Sequence, residues 1–119
     1  LQRGKLRLPT DVKEALARFI TNVKNELGEE TEIYLFGSFA KGEWLVDSDI
    51  DVIVVSSKLR NVPWHKRYPL LRRLAPREKA FEILGYTPEE LERALEENLF
   101  IKELSEYWVK LSKEFLIIS

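Results

Sequence analysis

The stretch Ile50-Asp51-Val52-Ile53-Val54-Val55 limits the possible folds more than any other part of the chain. It is an apolar run interrupted only by Asp51, the pattern of a strand buried on both faces. A strand to lie beside it is available upstream. Glu32 to Phe36 is short, β-branched and aromatic, and it runs directly into Gly37-Ser38, which reads as a strand followed by a tight turn. Asp49 stands two residues before Asp51. Successive strand side chains point to opposite faces, so these two carboxylates share one face, about 6 to 7 Å apart along the backbone.

The remaining elements follow from hydrophobic spacing and end signals. Val12, Ala15, Leu16, Phe19, Ile20, Val23 and Leu27 recur at three- and four-residue steps, which predicts an amphipathic helix from Asp11 to Leu27, capped by Thr10 and ended by Gly28. Val62 to Leu74 contains Pro63 and Pro69 and predicts a short or broken helix. Lys79 to Leu84 reads as a third strand. Thr87-Pro88-Glu89-Glu90 has the form of a capping box with proline at the first helical position, so a helix should run from Pro88 to about Leu99. Ile101, Leu104, Trp108 and Leu111 are spaced helically and predict one more helix before the apolar end Phe115-Leu116-Ile117-Ile118. No internal repeat, low-complexity tract or linker is visible.

A chain of 119 residues, 45% hydrophobic and 33% charged, suits one compact domain over 1–119 and leaves no room for a second full domain. No apolar run approaches the roughly 18 to 20 residues that cross a bilayer, and the basic start Leu1-Gln2-Arg3-Gly4-Lys5 precedes no signal-like apolar stretch, so the expectation is a soluble cytoplasmic protein. The absence of cysteine excludes disulfide scaffolds, thiolate zinc sites and cysteine nucleophiles. Any metal must sit on oxygen ligands or on the single His65. A formal net charge of −1 argues against general binding of a phosphate backbone.

The charge is nevertheless unevenly placed. Lys58 to Lys79 holds eight Lys and Arg against Glu78 alone, whereas Glu82 to Glu106 holds eight Glu against Arg93 and Lys102. Such blocks are more often solvated faces than binding sites, although a basic arm beside a nucleotide site could serve a polyanionic ligand. The lack of Cys and Met and the abundance of Glu, Lys and Arg are similar to thermophile usage.

Two ionised carboxylates as close as Asp49 and Asp51 repel each other unless a cation neutralises them, and oxygen ligands of this kind suit magnesium or manganese. Upstream, Gly37 lets the chain turn sharply off a strand, while the Ser38 hydroxyl and the following backbone N–H groups can face a phosphate at a helix start. Glu82 interrupts the apolar run Ala80-Phe81-Glu82-Ile83-Leu84, where an unpaired buried carboxylate would be costly. On a neighbouring strand it could complete the metal cluster; the other reading is a salt bridge to the basic segment. His65, beside Trp64 and among Lys66 and Arg67, reads as a surface residue. Trp44, Trp64 and Trp108 read as packing residues, with Trp44 placed where it could flank a nucleotide.

The segment Gly37-Ser38-Phe39-Ala40-Lys41-Gly42, then Ser48-Asp49-Ile50-Asp51 inside an apolar strand, then a later strand carboxylate, resembles the DNA polymerase beta nucleotidyltransferase superfamily, and more narrowly its minimal prokaryotic members. The similarity covers roughly Ile33 to Glu90. It implies that Gly37 and Ser38 contact nucleotide phosphates, that Asp49 and Asp51 bind both magnesium ions, and that Glu82 takes a third carboxylate position often held by aspartate. Lys41 lies where the family commonly carries a basic residue, so it is either a phosphate contact or a solvated loop lysine. The implied fold is α/β, a small mixed sheet of three or four strands with helices mainly on one face and the site at the open edge.

The implied reaction moves a nucleoside monophosphate, AMP from ATP, to an acceptor hydroxyl with release of pyrophosphate. Minimal nucleotidyltransferases commonly pair with a small helical HEPN protein in toxin and antitoxin modules, and some transfer AMP to a tyrosine of that partner. A small molecule or an RNA end is the other acceptor class. A non-catalytic antitoxin-like binding module is the alternative from a different functional class, and a phosphohydrolase is disfavoured because no cluster of histidines accompanies the aspartates. Aromatic residues beside arginines in Val62 to Leu74, and the predicted helix around Tyr107 and Trp108, compose a candidate protein interface.

Overall fold

The structure, a computed structural model, describes residues 6–118. The basic start Leu1 to Lys5 lies outside them. Helix α1 spans Thr10–Leu27 and buries Val12, Ala15, Leu16, Phe19, Ile20, Val23 and Leu27, the stripe that the spacing predicts. Thr10 is its first residue rather than its cap. Pro9 holds the cap position, with no side-chain cap hydrogen bond, and its carbonyl accepts from the Lys13 N–H at 3.0 Å to close the first turn. Gly28 ends the helix as expected.

Strand β1 (Glu32–Phe36) passes into the short helix α2 (Gly37–Lys41), and a loop leads to strand β2 (Ile50–Val55). Helix α3 (Trp64–Arg72) falls within the expected segment and keeps Pro69 inside it. Strand β3 (Phe81–Tyr86) is followed by helix α4 (Pro88–Glu97), helix α5 (Leu99–Leu104), the two-residue strand β4 (Val109–Lys110) and helix α6 (Lys113–Ile118). The sheet is mixed and four-stranded in the order β3-β2-β1-β4, with β2 parallel to β3 and antiparallel to β1.

Alternation divides the sheet into two faces. Ile33, Leu35, Ile50, Val52, Val54, Phe81 and Ile83 pack into the larger core with α1 and with Leu59 and Leu71. Burying each side chain of this size stabilises the fold by roughly 1.5–3 kcal/mol, and Leu16 and Phe19 of α1 lose all contact with water. Phe36, Ile53, Val55 and Tyr86 face the other way and meet Leu91 of α4 and Ile101 of α5 in a smaller cluster. This second cover leaves the end of the sheet that carries Asp51 and Glu82 open to solvent.

The last predicted helix is replaced by three elements. Asn98 leaves helical geometry at φ −114°, and its side-chain oxygen accepts from the Ile101 N–H at 3.2 Å, so α4 and α5 are separate helices, as expected, but α5 stops at Leu104. After α5 the chain makes one 3-10 turn over Ser105–Tyr107 and becomes extended at Trp108. Val109 then pairs with Leu35 and Lys110 with Tyr34, which covers the free edge of β1. Trp108 and Leu111 therefore do not share a helix face. Trp108 packs on Tyr34, with ring centroids 5.4 Å apart, and the Leu111 N–H donates to the Ile33 carbonyl.

Much of the basic segment is tied to the fold. Arg67 is 5% exposed; its guanidinium donates to the carbonyls of Leu59, Val62 and Gly85 and to both carboxylate oxygens of Glu90. Glu90 also completes the capping box, accepting from the Thr87 N–H while its own N–H donates to Thr87 Oγ1. Arg60, Arg73 and Lys79 pair with Glu89, Glu26 and Asp11, and Arg72 donates to the carbonyls of Ala75, Pro76 and Lys79. Arg67 is thus no surface anchor for a partner, contrary to the composition-based expectation.

Candidate active site

Strand register assembles the site. Asp51 lies opposite Phe36 of β1 on one side and opposite Glu82 of β3 on the other, so the three side chains form one row across the sheet. Neighbouring strands run about 4.8 Å apart, which brings the Asp51 and Glu82 carboxyls onto adjoining positions of one face. Asp49 precedes β2 and joins them from the loop. Asp51 and Glu82 therefore share one face, and Asp49 is near enough for its charge to act on Asp51, but the burial is distributed differently from the expectation. Asp51 is half-buried, whereas Glu82 and Asp49 are exposed. Glu82 is not the buried carboxylate that the apolar run suggests, because α4 and α5 do not extend over it.

The electrostatics of the row are unbalanced. Burial, and then the charges of Glu82 and Asp49, push the Asp51 carboxyl up to about 6. Among the described residues, no lysine, arginine or histidine pairs with any of the three acids, so Glu82 does not make the salt bridge to the basic segment. Nor are three acidic, histidine or cysteine side chains already gathered into a metal cage among the described residues. Closing the set on an ion requires rotation of Asp49 and Glu82, both of which are exposed and free to reorient.

The turn after β1 brings backbone to the same place. Gly37 takes φ +75°, and the chain coils at once into α2 with Ser38 half-buried in its first turn. The Ser38 carbonyl accepts from the Glu43 N–H at 2.9 Å, which folds the loop back. Farther on, the Ser48 N–H donates to the Leu45 carbonyl and Ser48 Oγ accepts from the Leu45 N–H, a turn that delivers Asp49 to the start of β2. Trp44 stacks on Phe39 with ring centroids 5.6 Å apart, so it anchors this loop to the core, in line with the packing reading.

Lys41 directs its Nζ over the Tyr107 ring, 5.1 Å from the centroid. The structure therefore engages this cation with an aromatic ring. Tyr107, 38% exposed, lies in a 3-10 turn rather than in the predicted helix and stands beside α2. His65 is exposed on α3 and makes no contact with the carboxylate row. Trp64 lies 55% exposed against Tyr86 and Arg67.

Two grooves lie elsewhere. One of about 630 Å³ is lined by Trp64, Tyr86, Arg93 and Asn98 at the far end of β3, and one of about 670 Å³ runs between α1 and α6. Charge and strand register identify the carboxylate row.

Residues 16–118 match the family of nucleotidyltransferase domains. A crystal structure of a Sulfolobus solfataricus protein, provisionally assigned as a nucleotidyltransferase, shares the fold with a TM-score of 0.59 and 22% identity over 70% of this chain and 73% of that one. No curated protein matches the chain significantly. Among the described residues, no helix is long and apolar enough to cross a membrane. The family match spans the Gly37-Ser38 turn and all three acidic positions, and the chain belongs to the nucleotidyltransferase-domain family.

Proposed function

We propose that the protein is a divalent-metal-dependent nucleotidyltransferase, with Asp49, Asp51 and Glu82 as the ligands of Mg2+ or Mn2+. The observation that carries this reading is Asp51, a half-buried carboxylate under the charges of two further acids, with no cationic partner among the described residues. A donor set made only of carboxylate oxygens fits a hard divalent ion, and the unbalanced charge supplies the driving force for taking one up. When bound, such ions neutralise the phosphates of a nucleoside triphosphate and polarise the phosphorus that is attacked.

The chain's own groups perform the remaining tasks. Asp51, fixed in the interior strand, sets the direction of the ligand set, while Asp49 and Glu82 adjust to it from exposed positions. The Ser38 hydroxyl and the first N–H groups of α2 offer donors for phosphate oxygens, since the opening N–H groups of a helix have no partner within it. Lys41 can leave the Tyr107 ring for phosphate at small cost, because an exposed cation–π contact contributes only about 0.5–1 kcal/mol.

The finer reading is transfer of AMP from ATP to a tyrosine hydroxyl of a small helical HEPN partner, in the manner of an antitoxin. It rests on the resemblance of the Gly37-Ser38 and Asp49-Ile50-Asp51 segments to minimal members of the superfamily. The structure supplies one supporting observation. Ion pairs and carbonyl contacts engage Arg60, Arg67, Arg72, Arg73 and Lys79 of the basic segment, which reduces the positive charge it offers to an RNA backbone.

The test is incubation with each α-labelled nucleoside triphosphate, Mg2+ and the proteins that co-purify with the chain, followed by mass spectrometry. Label on a partner tyrosine, lowered at least about 100-fold by Asp51→Asn, is the expected result. A second reading, neutralisation of a partner by contact alone, is favoured by the exposed Glu82 and the lack of a ready-formed cage among the described residues. Binding of the partner with no label transferred from any triphosphate would establish it.

A further inference from the structure

Gly37 and Gly42 bracket α2 and share almost the same backbone geometry, φ +75° and φ +78°. Their surroundings differ. A Cβ placed on Gly42 would meet nothing within 4 Å. A Cβ placed on Gly37 would overlap Oδ2 of Asp51, stand 2.9 Å from its Cγ and lie 3.2 Å from its Cβ.

We propose that Gly37 is a positioning residue for Asp51: the space where its side chain would be is the seat of the Asp51 carboxylate, and it fixes the direction of that carboxylate before any ion or nucleotide arrives. Asp51 has little freedom to yield. Its backbone is held in an interior strand between β1 and β3, so turning the side chain relieves the contact at Cγ but not the one at Cβ. The neighbours on either side of it on that face are Phe36, which is buried, and Glu82, whose charge repels it. A substituent at Gly37 therefore drives the carboxylate toward an aromatic ring or toward another carboxylate. This role acts through Asp51 and is separate from any contact between Gly37 and a phosphate. Only its consequence for metal binding rests on the function proposed above.

Gly42 supplies the control, because alanine there meets the same left-handed backbone penalty without the collision. Thermal unfolding is measured for Gly37→Ala and Gly42→Ala, each alone and combined with Asp51→Ala, which removes the carboxylate and keeps Cβ. Gly42→Ala is expected to lower Tm by a few degrees, and Gly37→Ala by at least about 5 °C more. Asp51→Ala should recover at least half of that excess at Gly37 and nothing at Gly42. Should Gly37→Ala fail to fold, recovery of folding in the double variant supports the proposal, and a double variant as unfolded as the single one overturns it.

Binding of Mn2+ alone, followed by electron paramagnetic resonance, adds a readout that a merely structural glycine would not move. Gly37→Ala should weaken it at least tenfold, and Gly42→Ala should leave it within twofold. Equal losses of Tm at the two glycines, an excess at Gly37 untouched by Asp51→Ala, or Mn2+ affinity unchanged by Gly37→Ala but abolished by Asp51→Ala would each overturn the positioning role. Absence of Mn2+ binding by the unaltered protein would contradict the metal reading instead, and the stability comparison would then decide the positioning role alone.

Discussion

The two ends of strands β2 and β3 treat charge in opposite ways. At the far end, past Val55 and Tyr86, buried Arg67 is met by carbonyls and by Glu90, whose carboxyl the guanidinium holds below the usual carboxylate range. About four residues earlier along the same strands, or roughly 13 Å, three acids face one another without a cation and Asp51 is pushed up instead. A buried charge that serves the fold comes with its partners in the same chain. One left without them costs stability, and its retention points to a partner from outside.

The largest effect expected from this contrast is at Arg67. Arg67→Ala leaves the Val62 and Gly85 carbonyls without their side-chain donor and Glu90 without its partner, at a cost of about 3–5 kcal/mol. Chemical denaturation checks the loss, and transfer activity per folded molecule should persist because the carboxylate row is untouched. A variant equally stable but inactive would place Arg67 in the site and break the comparison.

Asp51→Asn should have the opposite sign. The folded carboxyl titrates near 6 and the unfolded one near 3.8, so between those values the native state holds the proton and the unfolded state does not. Stability contributed by protonated Asp51 therefore falls as pH rises from about 4 to 6 and stays lost above, a difference on the order of 1–2 kcal/mol once screening of a half-open carboxyl is allowed for. The asparagine variant should be more stable by that amount at pH 8 and should lose its advantage near pH 4. Glu90 has the reverse linkage: its stabilisation is present above the ordinary glutamate range and is lost on acidification below it.

Glu82→Gln should produce the smallest change. It removes repulsion on Asp51 but relieves no burial, since Glu82 is exposed. A smaller stabilisation than that of Asp51→Asn, together with a drop of the Asp51 titration toward the ordinary value, is expected from carboxyl-detected NMR. A larger stabilisation would make Glu82 the strained group.

Local patterns in the sequence carry much of this architecture. Strands β1 and β2 begin and end where the apolar runs do, and the capping box at Thr87 forms as its residues require. Asp51 stands out from its neighbours because an acid inside an apolar strand has no local explanation. Asn98 caps the second of the two helices that the sequence predicts here, while nothing in the helical spacing marks the end of that helix at Leu104. Strand β4 has no signal of its own: two residues carry no periodicity, and their conformation comes from pairing with β1, more than seventy positions away. The exposure of Glu82 depends on how far α4 and α5 reach across a face. The seat of Asp51 against Gly37 and the closure around Arg67 likewise arise only when distant segments meet.

The central claim is that the charge which costs stability at Asp51 is the charge that takes up a divalent ion. The measurement that tests it most directly is thermal unfolding of the unaltered protein and of Asp51→Asn at pH 8, with and without Mg2+. Without the ion, Asp51→Asn should melt at the higher temperature. Adding Mg2+ should raise the Tm of the unaltered protein by mass action, leave the variant nearly unmoved, and close or reverse the gap. Equal responses of the two proteins to Mg2+, or none from either, would contradict the account.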